Sequence, residues 1–544
     1  MSIALGVDLS TQSCKCIAVN VNTLHIVEAS SVVFDVDLPS YQTINGMHRS
    51  NDQPPVVTSP TIMWAEALMK CLNAMQLLPS ADVIAISGSA QQHATVYWKL
   101  AQGDAIAAST LEELAAFLSV HDSPIWMNNT TGRWCEQLRS AFPNGDAGLQ
   151  HVAGVRATER FSVFHVAKHL STEASTNTTK AVSLASSFAT SLLAGVVSGT
   201  DFSDASGTGA LALSELDWCD AVFEHLGVPN GRTLLGALTD PTVVIGRVAN
   251  SSLLSRYLKS TVDILPFTGD NPSAVVGMGL TRAGDVLVSL GTSDTCIVVG
   301  HRGDESQLPP NTYTFPHPLF PRELVCHMMV YANGDLARRR VKDAHYNGSW
   351  ELFSVALNET RTDGNVFCTT GPSPKVGLSL AVNEICPPIS VPPSGLDVYF
   401  DGDSLIDVLS DARYYSRLAI EHRALAMVED IAPLLLPSSS ATATSTGRLL
   451  ITGGASCSVA ILDVFADVFQ RDVWVNDTKE AAAFGAAIRA VWGTTAEGDQ
   501  RASLLQRIEA QCAGRKMTSP IKYGDVTFAR NHLRRAVAAL TKVS

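Results

Sequence analysis

The stretch FTGDNPSAVVGMGLTRAGDVLVSLGTSDTCI, residues 267–297, decides how the chain reads. Thr268-Gly269-Asp270-Asn271-Pro272 is turn chemistry that opens a short apolar helix, expected from about Ser273 to Met278. A strand, Val286 to Leu290, then runs into Gly291-Thr292-Ser293-Asp294, and a second strand, Thr295 to Val299, leaves it. Asp270 is an isolated carboxylate just ahead of a hydroxyl-rich hairpin turn. Gly291 lets the backbone come close to a ligand, and turn N–H groups together with hydroxyls ring an anion. Asp270 reads as a base and the turn as a phosphate cradle. Plain turn chemistry, with Asp270 as a helix cap, is the alternative and is compatible with a base.

A hairpin of the same design opens the chain. In IALGVDLSTQSCKCIAVNV, residues 3–21, a strand ends at Asp8, the turn is Ser10-Thr11-Gln12-Ser13, and a second strand carries Cys16 to Val21. The copies lie about 280 residues apart, roughly half the chain, a spacing that suggests duplication. Two related domains facing each other across a cleft, each lending a turn to one ligand, are therefore expected. Two unrelated hairpins in a large α/β protein are the alternative.

Other polar groups gather at strand ends. Val83 to Ile86 opens into Ser87-Gly88-Ser89-Ala90-Gln91-Gln92-His93, the kind of place where α/β sheets put ligands; His93 reads equally as a satisfied surface histidine. Ser123-Pro124-Ile125-Trp126-Met127-Asn128 sets a tryptophan beside amides. Arg156 and Arg160 are two cations, at least one expected in a structural ion pair. Asp201 and Asp204 in a polar loop face either ligand or solvent. Trp350 in a helical segment reads as core-packed. Strand Leu449-Leu450-Ile451 leads into Thr452-Gly453-Gly454-Ala455-Ser456 and a helix from Val459 to Phe469, a turn that lets a flat or phosphorylated ligand reach a helix N-terminus. Glu480 to Ala487 is a helix with a small-residue face. The Ser/Thr-rich run 437–447 reads as a flexible surface insertion.

Composition bounds the rest. The chain has 544 residues, 46% hydrophobic and 17% charged, with a net charge of −13, so it is globular and argues against nucleic acid or an anionic membrane as a broad-surface partner. The basic run Arg338-Arg339-Arg340-Val341-Lys342 reads as a solvated helix face. Eleven scattered cysteines without a C-x-x-C pair read as reduced thiols of a cytoplasmic protein. The start enters a strand at once, leaving no room for a signal peptide. Residues 181–200 carry no charge, but their serines and threonines fit a buried helix better than a membrane span. No Walker, H-E-x-x-H, G-x-S-x-G or zinc pattern occurs, so a nucleotide would use the two hairpins and the Gly-Gly turn.

The motifs VDLSTQS (7–13), SGSAQQH (87–93), PIWM (124–127), ERF (159–161), FTGDNP (267–272), SLGTSDT (289–295) and TGGAS (452–456), in this order, resemble the FGGY-type carbohydrate kinases along almost the whole chain. The resemblance implies an α/β fold of two duplicated actin-like, ribonuclease H-like ATPase domains, residues 1–280 and 281–544. It implies ATP and Mg²⁺ as cofactors, and a small-molecule sugar with ATP as the only partners of a monomer or homodimer. Gly-Asp-Asn at 269–271 favours the members that phosphorylate D-xylulose at its 5-hydroxyl. Other ketoses or polyols (ribulose, ribitol, glycerol), or a non-catalytic actin-like nucleotide-binding protein, are the alternatives. By the resemblance, Asp270 is the catalytic base. Gln92, His93, Arg160 and Asn271 join it on the sugar, and Asp8 serves the metal. Ser10, Thr11, Gln12 and Ser13 take phosphates, as do Gly291, Thr292 and Ser293. Gly453, Gly454, Ser458 and Trp350 border the adenosine. Two positions depart: Asn128 stands where relatives carry Asp, and Ser458 where some carry Asn. A helix dipole at Asp270 is expected to favour its ionised form.

Overall fold

The computed structural model describes the chain apart from residues 304–307, 363–374, 402–403, 436–446, 477, 479, 522–530, 532, 535–536 and 538–544. The expected surface insertion, save Gly447, lies outside the described residues. The chain forms two compact units. One comprises Met1–Thr281, Thr314–Val325 and Thr478–Cys512; the other comprises Arg282–Tyr313, Cys326–Asp477 and Ala513–Ser544. A single cut after residue 280 therefore describes only the first crossing, because two later segments return to the first unit.

The first unit is built on a seven-stranded sheet. Its strands are β1 (Ser2–Leu9), β2 (Ser13–Asn20), β3 (Ile26–Val33), β4 (Asp82–Ala90), β5 (Gly246–Arg247), β6 (Asp263–Ile264) and β7 (Thr268–Gly269). Their order is β5-β6-β4-β1-β2-β3, with β7 also on β4. β1 is buried at every position after Ser2, as a central strand covered on both faces must be. It pairs antiparallel with β2 and parallel with β4, bringing Asp8 beside Ser89. β7 is parallel to the end of β4, with Thr268 opposite Ser89. Three strands thus end together at the same edge.

The helix Ala481–Thr494 explains why residues 478–512 belong here. A Cβ on Gly6 would sit 2.0 Å from the Ala483 carbonyl, and one on Gly485 1.8 Å from the Ser273 carbonyl. The small residues let this helix lie against both β1 and the helix Asp270–Gly277. Its Arg489, fully buried, donates to the carbonyls of Pro266 (2.9 Å) and Gly88 (2.5 Å). Residues 181–200 form a buried strand and the helix Ala185–Ala194. Among the described residues no helix is long and apolar enough to cross a membrane.

The second unit repeats the plan. β8 (Val286–Leu290) pairs antiparallel with β9 (Asp294–His301), and next come β10 (Leu324–Tyr331, of this unit from Cys326 on), β11 (Leu449–Thr452), β12 (Val473–Val475) and β13 (Arg515–Thr518). The order β10-β9-β8-β11-β12-β13 puts the parallel strand β11 on β8, as β4 lies on β1. Helices Tyr414–Ile431 and Val459–Phe469 share an apolar core with β8 and β11. The basic run belongs to the helix Asp335–His345 and is not a wholly solvated face: Arg338 is buried.

Candidate functional site

In the first unit, the polar groups lie where β1, β4 and β7 end. Both carboxylate oxygens of Asp8 are engaged: Ser10 Oγ donates to Oδ2 (2.5 Å) and Ser89 Oγ to Oδ1 (2.8 Å). Burial raises its pKa, and the two hydroxyls and Lys15 work against that rise. Lys15 is itself paired with Glu480 at 2.7 Å. The Ser10 amide closes the turn on the Ser13 carbonyl (2.9 Å). Thr11 Oγ1 receives the Trp126 indole N–H (3.0 Å) and donates to Gln91 (3.3 Å). Gln12 is exposed and Ser13 half-buried.

Asp270 is the first residue of its helix, one position inside the cap, which is Gly269. Its Oδ1 accepts from the Asn271 backbone N–H (2.8 Å) and Nδ2 (3.1 Å). Burial and the charge of Asp8 push its pKa up to about 7, against the expectation that the helix dipole keeps it ionised. Desolvation and a like charge outweigh the dipole, whose effect is typically 0.3–1 kcal/mol and up to about 2 when partly buried.

Asn271 Nδ2 also donates to Gln92 Oε1 (3.2 Å). His93, buried and at a positive φ of 70°, directs Nδ1 at the Gly207 carbonyl (2.7 Å) and its ring at Phe161. Burial and the cation of Arg160 bring His93 down to about 3, so it is neutral at physiological pH. Arg160 is half-buried with its pKa lowered by desolvation, and Arg156 donates to Gln150 at 3.0 Å. Among the described residues neither arginine forms an ion pair, contrary to the expectation of a structural one. Asn128 is buried, donating to the Val57 carbonyl (3.1 Å) and accepting from Thr130 (2.7 Å). Its polar atoms serve the loop.

Asp201 and Asp204 face neither solvent nor open space: both are fully buried. Asp201 accepts from Thr268 Oγ1 (3.0 Å) and caps the short helix Phe202–Ala205. Asp204 accepts from Ser186 Oγ (2.5 Å) and from Gln92 Nε2 (3.5 Å). Burial pushes Asp201 up to about 6 and Asp204 up to about 8, the latter helped by Asp201. The sequence signal that places this pair is the apolar setting of the serine-rich helix at 185–194, with which Asp204 shares a hydrogen bond.

In the second unit, a cavity of about 580 Å³ is lined by Gly291, Thr292, Arg339, Trp350, Gly454 and Ser458, among others. Its size suits a nucleoside. Ser293 and Gly453 fall outside the lining. Gly453 has φ +89°, and a Cβ there would meet the Leu290 carbonyl at 2.5 Å, so its glycine serves the backbone turn. Gly454 has open space where its Cβ would be. Trp350 is not core-packed: it is 42% exposed, edge-on to Phe353 and beneath Lys342 Nζ. Two groups that sequence reading did not assign to the turn hold it. Arg338 makes a bidentate pair with the buried Asp294 (2.8 and 3.1 Å) and donates to the Gly291 carbonyl (2.9 Å). Gly334 leaves no room for a Cβ beside Gly291 and Thr292.

With these groups placed, comparison with known proteins defines the class. The N-terminal domain of the FGGY family of carbohydrate kinases matches residues 3–277 and the C-terminal domain residues 419–494. The chain belongs to the FGGY family of carbohydrate kinases. Within that family it is 32% identical to xylulose kinase 2 of Arabidopsis thaliana over 514 residues, covering 90% of this chain and 87% of the relative. It is 34% identical to the xylulose kinase of Rattus norvegicus over 507 residues, covering 90% and 88%. Among solved structures, xylulose kinase from Rhodospirillum rubrum aligns with a TM-score of 0.74 at 17% identity, covering 99% of this chain and 98% of the other. Plasmodium falciparum glycerol kinase with ADP gives a TM-score of 0.74 at 15%, with the same coverage. At these identities the structures speak for the fold alone.

Proposed function

We propose that this chain transfers the γ-phosphate of ATP to the 5-hydroxyl of D-xylulose, with Asp270 as general base. The observation that carries the reading is the carboxylate of Asp270 at a helix start. It is held by Asn271 and pushed up to about 7. An ordinary aspartate is too weak a base for an alcohol, whereas a carboxyl tuned to the working pH takes a proton as the new P–O bond forms. The loose transition state of phosphoryl transfer asks little more than positioning and charge neutralisation. Neutral His93, Gln92, Asn271 and Arg160 are the sugar-binding groups of this reading, and the Trp350–Gly454–Ser458 cavity is the nucleoside site. The turns Ser10–Ser13 and Gly291–Ser293 hold phosphates through backbone N–H groups and hydroxyls.

Mg²⁺ suits the donor set. Among the described residues no cluster of three metal-binding side chains occurs. Mg²⁺ asks for one or two carboxylates, with waters and phosphate oxygens completing its shell. Asp8, its oxygens oriented by two hydroxyls, would hold the ion, and its charge is felt at Asp270. The ion would neutralise phosphate charge. A place in pentose metabolism and a cytoplasmic setting follow from the same reading.

A coupled ADP-release assay with xylulose, ribulose, ribitol and glycerol tests it. Xylulose is expected to have the highest kcat/KM. Turnover of another acceptor with none on xylulose overturns the substrate assignment.

A further inference from the structure

Asp204 lies one residue pair away from the proposed base and has no part in the reaction as written above. It is fully buried, and its carboxyl is held on two sides. Ser186 Oγ donates to Oδ2 at 2.5 Å, from the helix Ala185–Ala194, and Gln92 Nε2 donates to Oδ1 at 3.5 Å. The other end of the Gln92 amide, Oε1, accepts from Asn271 Nδ2 at 3.2 Å. That same Nδ2, with the Asn271 backbone N–H, grips Oδ1 of Asp270. Four side chains from four separate segments form one line, Ser186–Asp204–Gln92–Asn271, ending on Asp270.

We propose that Asp204 is a positioning residue for phosphoryl transfer, orienting Gln92 and, through Gln92 and Asn271, the carboxylate of Asp270; this rests on Asp270 being the base. An amide has two distinct ends, and an acceptor at Asp204 decides which end of Gln92 faces Asn271. With the carbonyl end toward Asn271, the Asn271 amide points its N–H groups outward and meets the carboxylate. Turned round, Gln92 would present N–H to N–H, and the side-chain half of the grip on Asp270 would be disturbed, leaving the Asn271 backbone N–H. Both bonds to Asp270 fall on Oδ1, so Oδ2 is the oxygen left to take a proton.

Two further features fit a line built for geometry. Gly269 passes so close that a Cβ there would lie 2.6 Å from Gln92 Cγ and 2.8 Å from Asp204 Oδ1. Its φ of −69° is open to any residue, so the glycine is required by the neighbours and not by the backbone. Burial also pushes Asp204 up to about 8, so near neutrality it is largely protonated and works as a hydrogen-bonding group with little charge. Asparagine can therefore replace it: the amide oxygen accepts from Gln92, and the amide N–H₂ faces Ser186, whose hydroxyl turns to accept.

The test uses the full chain, with kcat and KM for xylulose and ATP measured in Asp204→Leu, Asp204→Asn and Gly269→Ala, and folding checked by melting. Misplacement of the base predicts a kcat reduced about 10–10²-fold in Asp204→Leu and Gly269→Ala. The KM for ATP should stay within about 2-fold and kcat in Asp204→Asn within about 3-fold of wild type, on the same argument. A folded Asp204→Leu or Gly269→Ala with kcat close to wild type overturns the proposal, as does an Asp204→Asn as impaired as the leucine variant. Should the leucine variant fail to fold, Gly269→Ala decides. Asp270→Asn in the same assay separates the two readings. Transfer retained there removes Asp270 as the base; transfer abolished there, with normal kcat in the other variants, removes only the line from Asp204.

Discussion

The two hairpins share a plan and differ in what they do with their carboxylates. In both, an apolar strand enters a hydroxyl-rich turn, an antiparallel strand leaves it, and a parallel strand flanks the first: β4 beside β1, β11 beside β8. In the β1–β2 hairpin the carboxylate, Asp8, stands before the turn and accepts from the hydroxyls of Ser10 and Ser89. In the β8–β9 hairpin the carboxylate, Asp294, stands after the turn and is neutralised by Arg338, which also takes the Gly291 carbonyl. Under the proposed reading, one copy keeps its acidic group for a cation, while the other cancels its acid with a guanidinium and leaves a turn without net negative charge, suited to a polyphosphate. A duplicated element has thus been given different electrostatics by buried guanidinium groups, Arg338 from a helix 44 residues further on and Arg423 at 3.8 Å.

Asp270→Asn is expected to have the largest effect on the first unit's side of that contrast. Asparagine keeps the bonding to Asn271 but cannot take a proton, so kcat should fall roughly 10²–10⁴-fold. Nucleotide affinity and melting temperature should hold. Transfer within about 5-fold of wild type, well short of that range, would remove the base.

Next come the paired substitutions Asp8→Asn and Asp294→Asn. Breaking a buried ion pair leaves Arg338 uncompensated, so Asp294→Asn should cost about 3–5 kcal/mol in the urea-induced unfolding of the second unit. Asp8→Asn removes a carboxylate that burial already disfavours, so it should melt no lower than wild type while losing most transfer activity. Equal destabilisation by both would abolish the distinction between the hairpins.

A smaller effect separates the sugar side by ligand. Xylulose at 100 times its Kd should stabilise the folded chain by about 2.7 kcal/mol, seen as a raised Tm, with little shift from glycerol. A shift from glycerol and none from xylulose would reassign the acceptor.

A pH-dependent effect concerns the buried acid Asp204. Its folded pKa of about 8 lies above the ordinary value of 3.8, so its contribution to stability is full below about pH 4 and is lost as pH rises through 8. Asp204→Asn does not titrate. Its melting temperature relative to wild type should therefore rise between pH 5 and pH 9. A difference that is flat with pH would mean Asp204 is charged throughout.

What was legible in the sequence was local. The strand–turn–strand patterns at 3–21 and 286–299, and the helix from Val459 to Phe469, follow from periodicity and turn residues within a few positions of each other. Pro272 announced the helix start, although the helix begins at Asp270 itself. What escaped depends on partners remote in sequence. Arg338 looked solvated because its acid lies 44 residues away, and Trp350 looked buried because it lies in a helical segment. Asp201 and Asp204 read as loop carboxylates, yet Thr268, Ser186 and Gln92 enclose them. The raised pKa of Asp270 comes from burial and from Asp8, which lies far away in the sequence.

The close fit of the helix Ala481–Thr494 against β1 has a consequence for how the protein is made. Synthesis proceeds from the N-terminus, yet the surface beside Gly6 and Gly277 is covered only by residues near the far end of the chain. A nascent chain that has passed Thr281 therefore still exposes the apolar face around Ala4, Ile17 and Val276, which in the finished protein packs with Ala483, Ala487 and Ile488. Such late closure makes the first unit a slow, non-local assembly whose open face has to be shielded until the helix Ala481–Thr494 has been made. A premature stop shortly before residue 480 would then release a protein with an unfinished first unit, prone to aggregate even though the residues proposed to hold the sugar are present.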